Sequence, residues 1–307
     1  MKIIYKSLIT TILVIIIGAT VMYQWGIRNQ DNSRKVRSYI YLINKYILHH
    51  KYLVANSIYG TKFKFKSKDA VGRAIYKDKH YEPILTKFVL EKISYGPTDL
   101  IIDVGANLGW YSINISKFYP NNKIFAFEPD DINFAILNEN IKLNNSSNIT
   151  AINKAVAQKN DKLTLYKYPE KNLGRHSLLQ DNTLKQQQIV VDTVSIDEFI
   201  TKNHLIDHKI KLIKIDVEGY EYQVLLGCIK SLPKIEYILH EFSPKIMQQH
   251  NISPEQLIKL LLDNNFEPFT FTQQGTLQSV NLSEILNSLE VTELFWKNNS
   301  YNSKLIN

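Results

Sequence analysis

"DLIIDVGANLGWYSI", residues 99–113, is the stretch that decides the fold. Leu100, Ile101, Ile102 and Val104 read as a strand buried on both faces, and the segment from Trp110 to Tyr119 has helical spacing. Between them the chain must turn tightly. Glycine at such a turn lets the backbone approach a ligand closely, and the free N–H groups of the following helix favour anionic or strongly polar groups. A strand, turn and helix in this order form a nucleotide-type site.

Gly105 and Gly109 are spaced G-x-x-x-G with no third glycine, which disfavours the G-x-G-x-x-G dinucleotide fingerprint, and no G-x-x-x-x-G-K-[ST] run cradles a triphosphate. What remains is D-x-G-x-N-x-G, with Asp103 ending the first strand, followed by "KIFAFEP", which closes on Glu128. An acid ending the second strand of a doubly wound sheet reaches the ribose hydroxyls of a bound nucleoside. The two signals together point to an adenosine cofactor without a pyrophosphate, S-adenosylmethionine.

The chain of 307 residues has room for one domain plus additions. Its lone Cys228 cannot form an internal disulfide, and no Cys/His spacing suggests structural zinc. The net charge of +8 is unevenly placed: residues 1–95 hold 17 Lys/Arg against 5 Asp/Glu, or +12, and residues 96–307 hold 20 against 24, or −4. The site-bearing part is slightly acidic, so no nucleic-acid partner is expected.

Ser7 to Ile27 is a run of 21 uncharged residues, long enough to cross a bilayer as a helix, which predicts a single transmembrane anchor over 7–27. No A-x-A-like cleavage site follows it. Arg28, Arg34, Lys35 and Arg37 after the run outnumber Lys2 and Lys6 before it, which places the C-terminal domain in the cytoplasm. Residues 28–78 read as a basic juxtamembrane and connecting region. Within it "KVRSYIYLINKYILHHKYLV" is a basic aromatic helix, able to lie along anionic lipid or to pack on the domain, and "TKFKFKSKD" is a strand with one wet face.

Beyond Glu128 the helix and strand signals alternate. "DINFAILNENIKLNN" is an amphipathic helix, "ITAINKAVA" a third strand, and "KLTLYKY" with "QQIVVDTVSI" a hairpin insertion around "NLGRHSLL". "IKLIKIDVEG" and "KIEYILHEF" are the fourth and fifth core strands, and "VTELFWKN" closes the sheet.

With these landmarks in order, "HYEP", "DVGANLGWYS", "FEP", "KAVA", "KIDVEGYE" and "HEF", residues 79–307 resemble an FkbM-type S-adenosylmethionine-dependent methyltransferase. The resemblance implies an α/β Rossmann-like class I methyltransferase sheet of seven strands, the last antiparallel, with helices on both faces. It also implies methylation of a hydroxyl on a glycan, lipid-linked sugar or small metabolite. Position by position it assigns Asp103, Gly105, Asn107 and Gly109 to the methionine half of the cofactor and Glu128 to the ribose. Asn153 and Ala155 fall to the adenine, and Glu82 to a lid contact, with helix capping as its alternative. Gly174 and Ser177 resemble the family's loop over the substrate.

Methyl transfer to oxygen needs a hydroxyl aligned behind the methyl carbon and relieved of its proton. Asp216 and Glu218 lie at one strand's carboxyl end and Glu241 at its neighbour's, in the crevice where such sheets bind ligands. His240 and His176 are the candidate histidine bases, although strand alternation sets His240 and Glu241 on opposite faces. The three acids could also hold a divalent cation that acidifies a substrate hydroxyl, but hydrogen bonds to a polyol account for them without one and are the favoured reading, so no metal ligand is assigned. The expected reading is a membrane-anchored O-methyltransferase. A catalytically degenerate binding module and an RNA ribose methyltransferase are the alternatives.

Overall fold

The structure is a computed structural model that describes residues 18, 20, 21, 34–168, 172–288 and 290–301. In chain order, α1 (Arg34–Leu42) runs into a π turn (Ile43–Ile47), then β1 (Tyr52–Asn56), β2 (Lys62–Lys66), α2 (Ala70–Asp78) and α3 (Pro83–Glu91). The alternating core follows as β3 (Leu100–Val104), α4 (Trp110–Phe118), β4 (Lys123–Phe127), α5 (Asp131–Leu143) and β5 (Ile149–Ile152). An insertion of β6 (Ala155–Val156), β7 (Lys162–Lys167) and β8 (Gln187–Val194) comes next. The chain then continues through α6 (Ile196–Lys202), β9 (Ile210–Ile215), α7 (Glu221–Leu226), β10 (Ile235–Phe242), α8 (Pro244–Gln249) and α9 (Pro254–Asp263). It ends with β11 (Phe266–Phe271), β12 (Leu277–Ser279), α10 (Leu282–Leu286) and β13 (Thr292–Asn298).

The main sheet has the order β12-β11-β13-β10-β9-β3-β4-β5. Strands β5, β4, β3, β9 and β10 pair in parallel, and β13 lies antiparallel between β10 and β11. The expected seven strands are present, with an eighth added at the edge. Gly275, at φ +80, lets the chain turn from β11 back into β12, a turn closed by Gly275 N–H donating to Thr272 O. The predicted third strand divides: Ile149–Ile152 joins the main sheet, whereas Ala155–Val156 pairs with β8 in the separate three-stranded insertion, order β6-β8-β7.

Every residue of β3 and β9 is buried, because helices cover both faces of the sheet. Alternation divides their side chains between two cores. Leu100, Ile102, Val104, Ile213 and Ile215 pack with Phe199, Val224 and Trp296 on one face; Ile101 and Leu212 pack with Trp110, Phe88 and Phe295 on the other. Each such fully buried side chain contributes about 1.5–3 kcal/mol, the reserve against which a charged carboxyl end is tolerated.

The hairpin β1/β2 has the wet and dry faces its sequence predicts. Phe63 and Phe65 are fully buried, Phe63 lying 5.1 Å from the Trp110 ring, while Lys62 faces solvent. Helix α2 starts at Asp69, whose carboxylate accepts from Gly72 N–H, and Gly72 packs so tightly on Phe65 that a Cβ there would lie 2.1 Å from the ring. The predicted anchor over 7–27 falls almost wholly outside the described residues; among those described, no helix is long and apolar enough to cross a membrane.

Candidate active site

The carboxyl ends of β3, β9 and β10, with the adjoining amino end of the antiparallel β13, place polar side chains on one face of the sheet. Asp103 sits opposite Lys214, and Glu241 opposite Glu293, in the strand register. All four alternate in step with Ile101, Leu212, Leu239 and Phe295, which form the core beneath them. The same face that buries apolar residues lower down therefore presents charge at its rim.

The β3–α4 turn is built from three left-handed residues, Gly105 (φ +80), Asn107 (φ 51) and Gly109 (φ 91). Gly105 and Ala106 donate their N–H groups to Phe127 O, and Asn107 N–H donates to Glu128 Oε2 at 2.8 Å. The turn is thus stitched to the end of β4. A Cβ on Gly105 would fall 1.9 Å from the backbone oxygen of Asp216, so only glycine lets β3 and β9 close here. Gly109 lines neither pocket; it is the helix-starting residue, packed on Leu137 and Ile113.

Beside this turn lies a pocket lined by Asn107, Glu128, Pro129, Lys154, Ala155 and His176, among others. Its residues fit an adenosine group on three observations. Glu128 is 4 % exposed and spends one oxygen on Asn107 N–H and the other on Asp130 N–H, which leaves lone pairs for hydroxyl donors. His176 accepts from Tyr168 N–H through Nδ1, so its buried, unpartnered Nε2 carries the hydrogen and is a donor. The third lies in the adjoining cleft, where the methionine end would fall: buried Asp103 accepts from Ser112 through Oδ2 and leaves Oδ1 without a partner.

A wider cleft adjoins the pocket across Gly105, Asn107 and Asp216, which line both. It gathers six carboxylates, Glu82, Asp103, Asp216, Glu218, Glu241 and Glu293, against two cations, Lys214 and Arg175. Lys214 Nζ lies 2.9 Å from Asp216 Oδ2, and Arg175 Nε 3.5 Å from Glu218 Oε2. Burial pulls the Lys214 ammonium down, but Asp216, Asp103 and Glu82 around it more than reverse this and hold it protonated. Burial and then Asp216 raise both Glu218 and Glu241. Asp216, Glu218 and Glu241 bring one oxygen each within 4.8 Å of one another, a spacing that suits a cation or a shared proton.

Glu82 accepts from Tyr111 Oη at 2.6 Å and makes no side-chain cap to α3, so it is a cleft residue and not a helix cap. Ser177 Oγ bonds Val217 O and Glu218 O, fixing the insertion over the cleft. Three further expectations are corrected. His240 is 1 % exposed, with Nδ1 on Glu241 O and Nε2 accepting from Trp296 Nε1–H, and burial lowers it to about 4; it is a sealed core residue on the opposite face from Glu241. Asn153 turns its amide to Glu128 O and Pro129 O and supports the ribose acid from behind, while Lys154 and Ala155 line the pocket. His176 belongs to the adenosine pocket, not to the acids.

Lys214 and Glu293 are among the site residues that sequence reasoning missed, as are Arg175 and Lys154. Lys214 had a signal, a lysine inside an apolar strand two residues before Asp216 and therefore on its face. Glu293 had none without the register that sets it opposite Glu241.

Two expected results arise here. Glu128→Ala weakens S-adenosylhomocysteine binding by about 1–3 kcal/mol, the cost of leaving buried ribose hydroxyls without their partner, measured by calorimetry; unchanged affinity removes the ribose role. Burial also raises Glu128, Glu221 and Glu293 to about 8, above their ordinary 4.5. A carboxyl raised on folding favours the folded state below its unfolded value and loses that contribution as pH rises through its folded one. Ligand-free protein should therefore melt highest near pH 5 and progressively lower towards pH 9, and a melting temperature that rises over this window would contradict the buried neutral acids.

Residues 103–268, more than half of the chain, match the methyltransferase FkbM domain. Methyltransferase 1 of Beauveria bassiana is 27% identical over 143 residues, 41% of this chain and 57% of the relative, so the match spans little more than half of that protein. Hexuronic acid methyltransferase AglP of Haloferax volcanii is 23% identical over 203 residues, 66% of this chain and 76% of its own. The 2-O-methyltransferase NoeI of Sinorhizobium fredii is 24% identical over 178 residues, covering 54% and 72%. The chain belongs to the FkbM family of S-adenosylmethionine-dependent methyltransferases.

Proposed function

We propose that this FkbM-family enzyme methylates a hydroxyl group of a sugar, in a glycan or lipid-linked saccharide, at the cytoplasmic face of a membrane to which residues 7–27 anchor it. The observation that carries the reading is the acid-lined cleft opening directly onto the adenosine pocket through Asp216. Relatives named for hexuronic acid and 2-O methylation support oxygen as the acceptor atom. The uncharged run and the basic flank at Arg28, Arg34, Lys35 and Arg37 support the anchor and its orientation.

When bound, S-adenosylmethionine supplies an electrophilic methyl carbon. The chain supplies alignment and proton removal. Asp216 and Glu218 would accept hydrogen bonds from the acceptor hydroxyl and take its proton between them. Glu218, raised by burial and by Asp216, is a stronger base than an exposed carboxylate. Lys214 keeps the pair oriented from below, and the remaining acids hold neighbouring hydroxyls of the sugar. A divalent cation held by Asp216, Glu218 and Glu241 is the second reading, favoured by their 4.8 Å grouping; there it would acidify the hydroxyl directly.

Mass spectrometry of glycans and lipids from cells with and without the gene tests the assignment. A saccharide one CH2 heavier in the presence of the gene, lost with an Asp216→Asn allele, is the expected result. An identical saccharide profile with a methylated RNA or protein in its place would overturn it.

A further inference from the structure

From Arg34 to Lys68 the chain holds nine Lys/Arg and no Asp/Glu. Arg34 meets Asp78 and Lys64 meets Glu139. Others converge on a surface hollow lined by Lys45, His49, His50, Lys51, Lys66 and Lys68, with no acidic side chain among the described residues of its wall.

Next to this cationic hollow is an apolar face. Tyr41 and Asn44 turn inward, and the opposite side of α1 and its π turn presents Tyr39, Leu42 and Tyr46 at helical spacing, followed by Ile47. Tyr39, Tyr46 and Ile47 are each 61 % exposed. The outer face of the hairpin continues the pattern, with Tyr52 beside Lys66 and Val54 beside Lys64 in register. Aromatic and aliphatic side chains rimmed by lysines match a membrane interface, where the rings reach the acyl boundary and the ammonium groups meet phosphates. A nucleic-acid backbone would use the lysines but leave Leu42, Ile47 and Val54 in water.

We propose that this face, α1 with its π turn and the outer side of the β1/β2 hairpin, docks on an anionic lipid surface. The anchor proposed above supplies reach but not the chemistry of the face: only six residues separate Ile27 from Arg34, a span of at most about 25 Å. Docking brings the acceptor cleft close to the bilayer. Helix α1 packs on α2 through the Tyr41 and Tyr76 rings, 5.9 Å apart, and Val71 of α2 lines the cleft, so one helix separates lipid from acceptor. A lipid-linked saccharide suits that arrangement.

The test uses the full chain in vesicles and needs no methyl transfer, so it stands or falls apart from the proposed reaction. Native Cys228 is fully buried, which lets Tyr46→Cys carry an environment-sensitive fluorophore alone, with Val190→Cys, 69 % exposed on the insertion, as the remote control. On vesicles with about one third phosphatidylglycerol, the label at position 46 should brighten several-fold and shift to the blue, with no change at 190. The response should be absent on phosphatidylcholine, and should be lost in about 1 M salt, where screening acts within about 3 Å. It should also be lost when Lys45, Lys51 and Lys66 are replaced by Glu, and the salt arm stands if that triple variant does not fold. An equal response on neutral lipid, a chain that sediments with vesicles while position 46 stays dark, or a response to RNA instead of vesicles would each overturn the proposal.

Discussion

Gly105→Ala abolishes cofactor binding: S-adenosylhomocysteine affinity falls by more than about 100-fold and the fold loses about 3 kcal/mol or more. Two costs add. The residue sits at φ +80, where a side chain is strained, and its Cβ would lie 1.9 Å from the Asp216 backbone oxygen. Backbone cannot rotate aside as a side chain can, so β3 and β9 must part at the point where the two pockets meet. Gly60→Ala is the control, because Gly60 has a similar φ of +76 but open space around it, and it should cost only about 1–2 kcal/mol. Calorimetry and denaturant melts on both variants check this. Equal effects at the two positions would reduce the close approach at Gly105 to ordinary strain.

Asp216→Asn lowers turnover by about 100-fold or more while S-adenosylhomocysteine affinity changes little, on the scale of a positioned acid-base group. The substitution also leaves buried Lys214 without its ion pair, so stability falls as well, by less than a fully buried pair would imply because Asp216 is 35% exposed. Lys214→Met in the same chain should restore the melting temperature but not the rate, which separates catalysis from folding. Chelator distinguishes the two readings of the acids. Activity lost in chelator and regained with magnesium or manganese assigns a cation to Asp216, Glu218 and Glu241; full activity in chelator leaves the proton-sharing pair. Full turnover by Asp216→Asn would remove its catalytic role.

The main sheet was legible because its strands carry local signals: "LIIDV" and "IKLIKI" are continuous apolar runs, each ending at a residue that the site then uses. Asp103, Gly105, Asn107 and Glu128 could be placed from spacing, since the turn and the end of the second strand are fixed within a few residues of each. Glu293 could not, because it reaches the cleft only through pairing with a strand about fifty residues earlier. The histidines illustrate the same limit. His240 stands beside Glu241 in sequence, yet alternation and a Trp296 indole on the far face remove it from the chemistry, whereas His176 enters the pocket from an insertion whose course no periodicity reveals. The added edge strand β12 is three residues long and rests on one turn, too little pattern for sequence to register.

The insertion roofs the adenosine pocket with Leu173, Gly174, His176 and Leu178, and that roof is fastened at two points. Leu173 N–H donates to the Asp69 carboxylate that also starts α2, and Leu173 O accepts from the Asn133 amide of α5. Lifting this strap off the pocket breaks two buried hydrogen bonds. The ceiling of the adenosine pocket is thereby tied to the start of α2 and to α5, so a change that loosens Asp69 or Asn133 loosens the pocket from above without touching any residue that lines it.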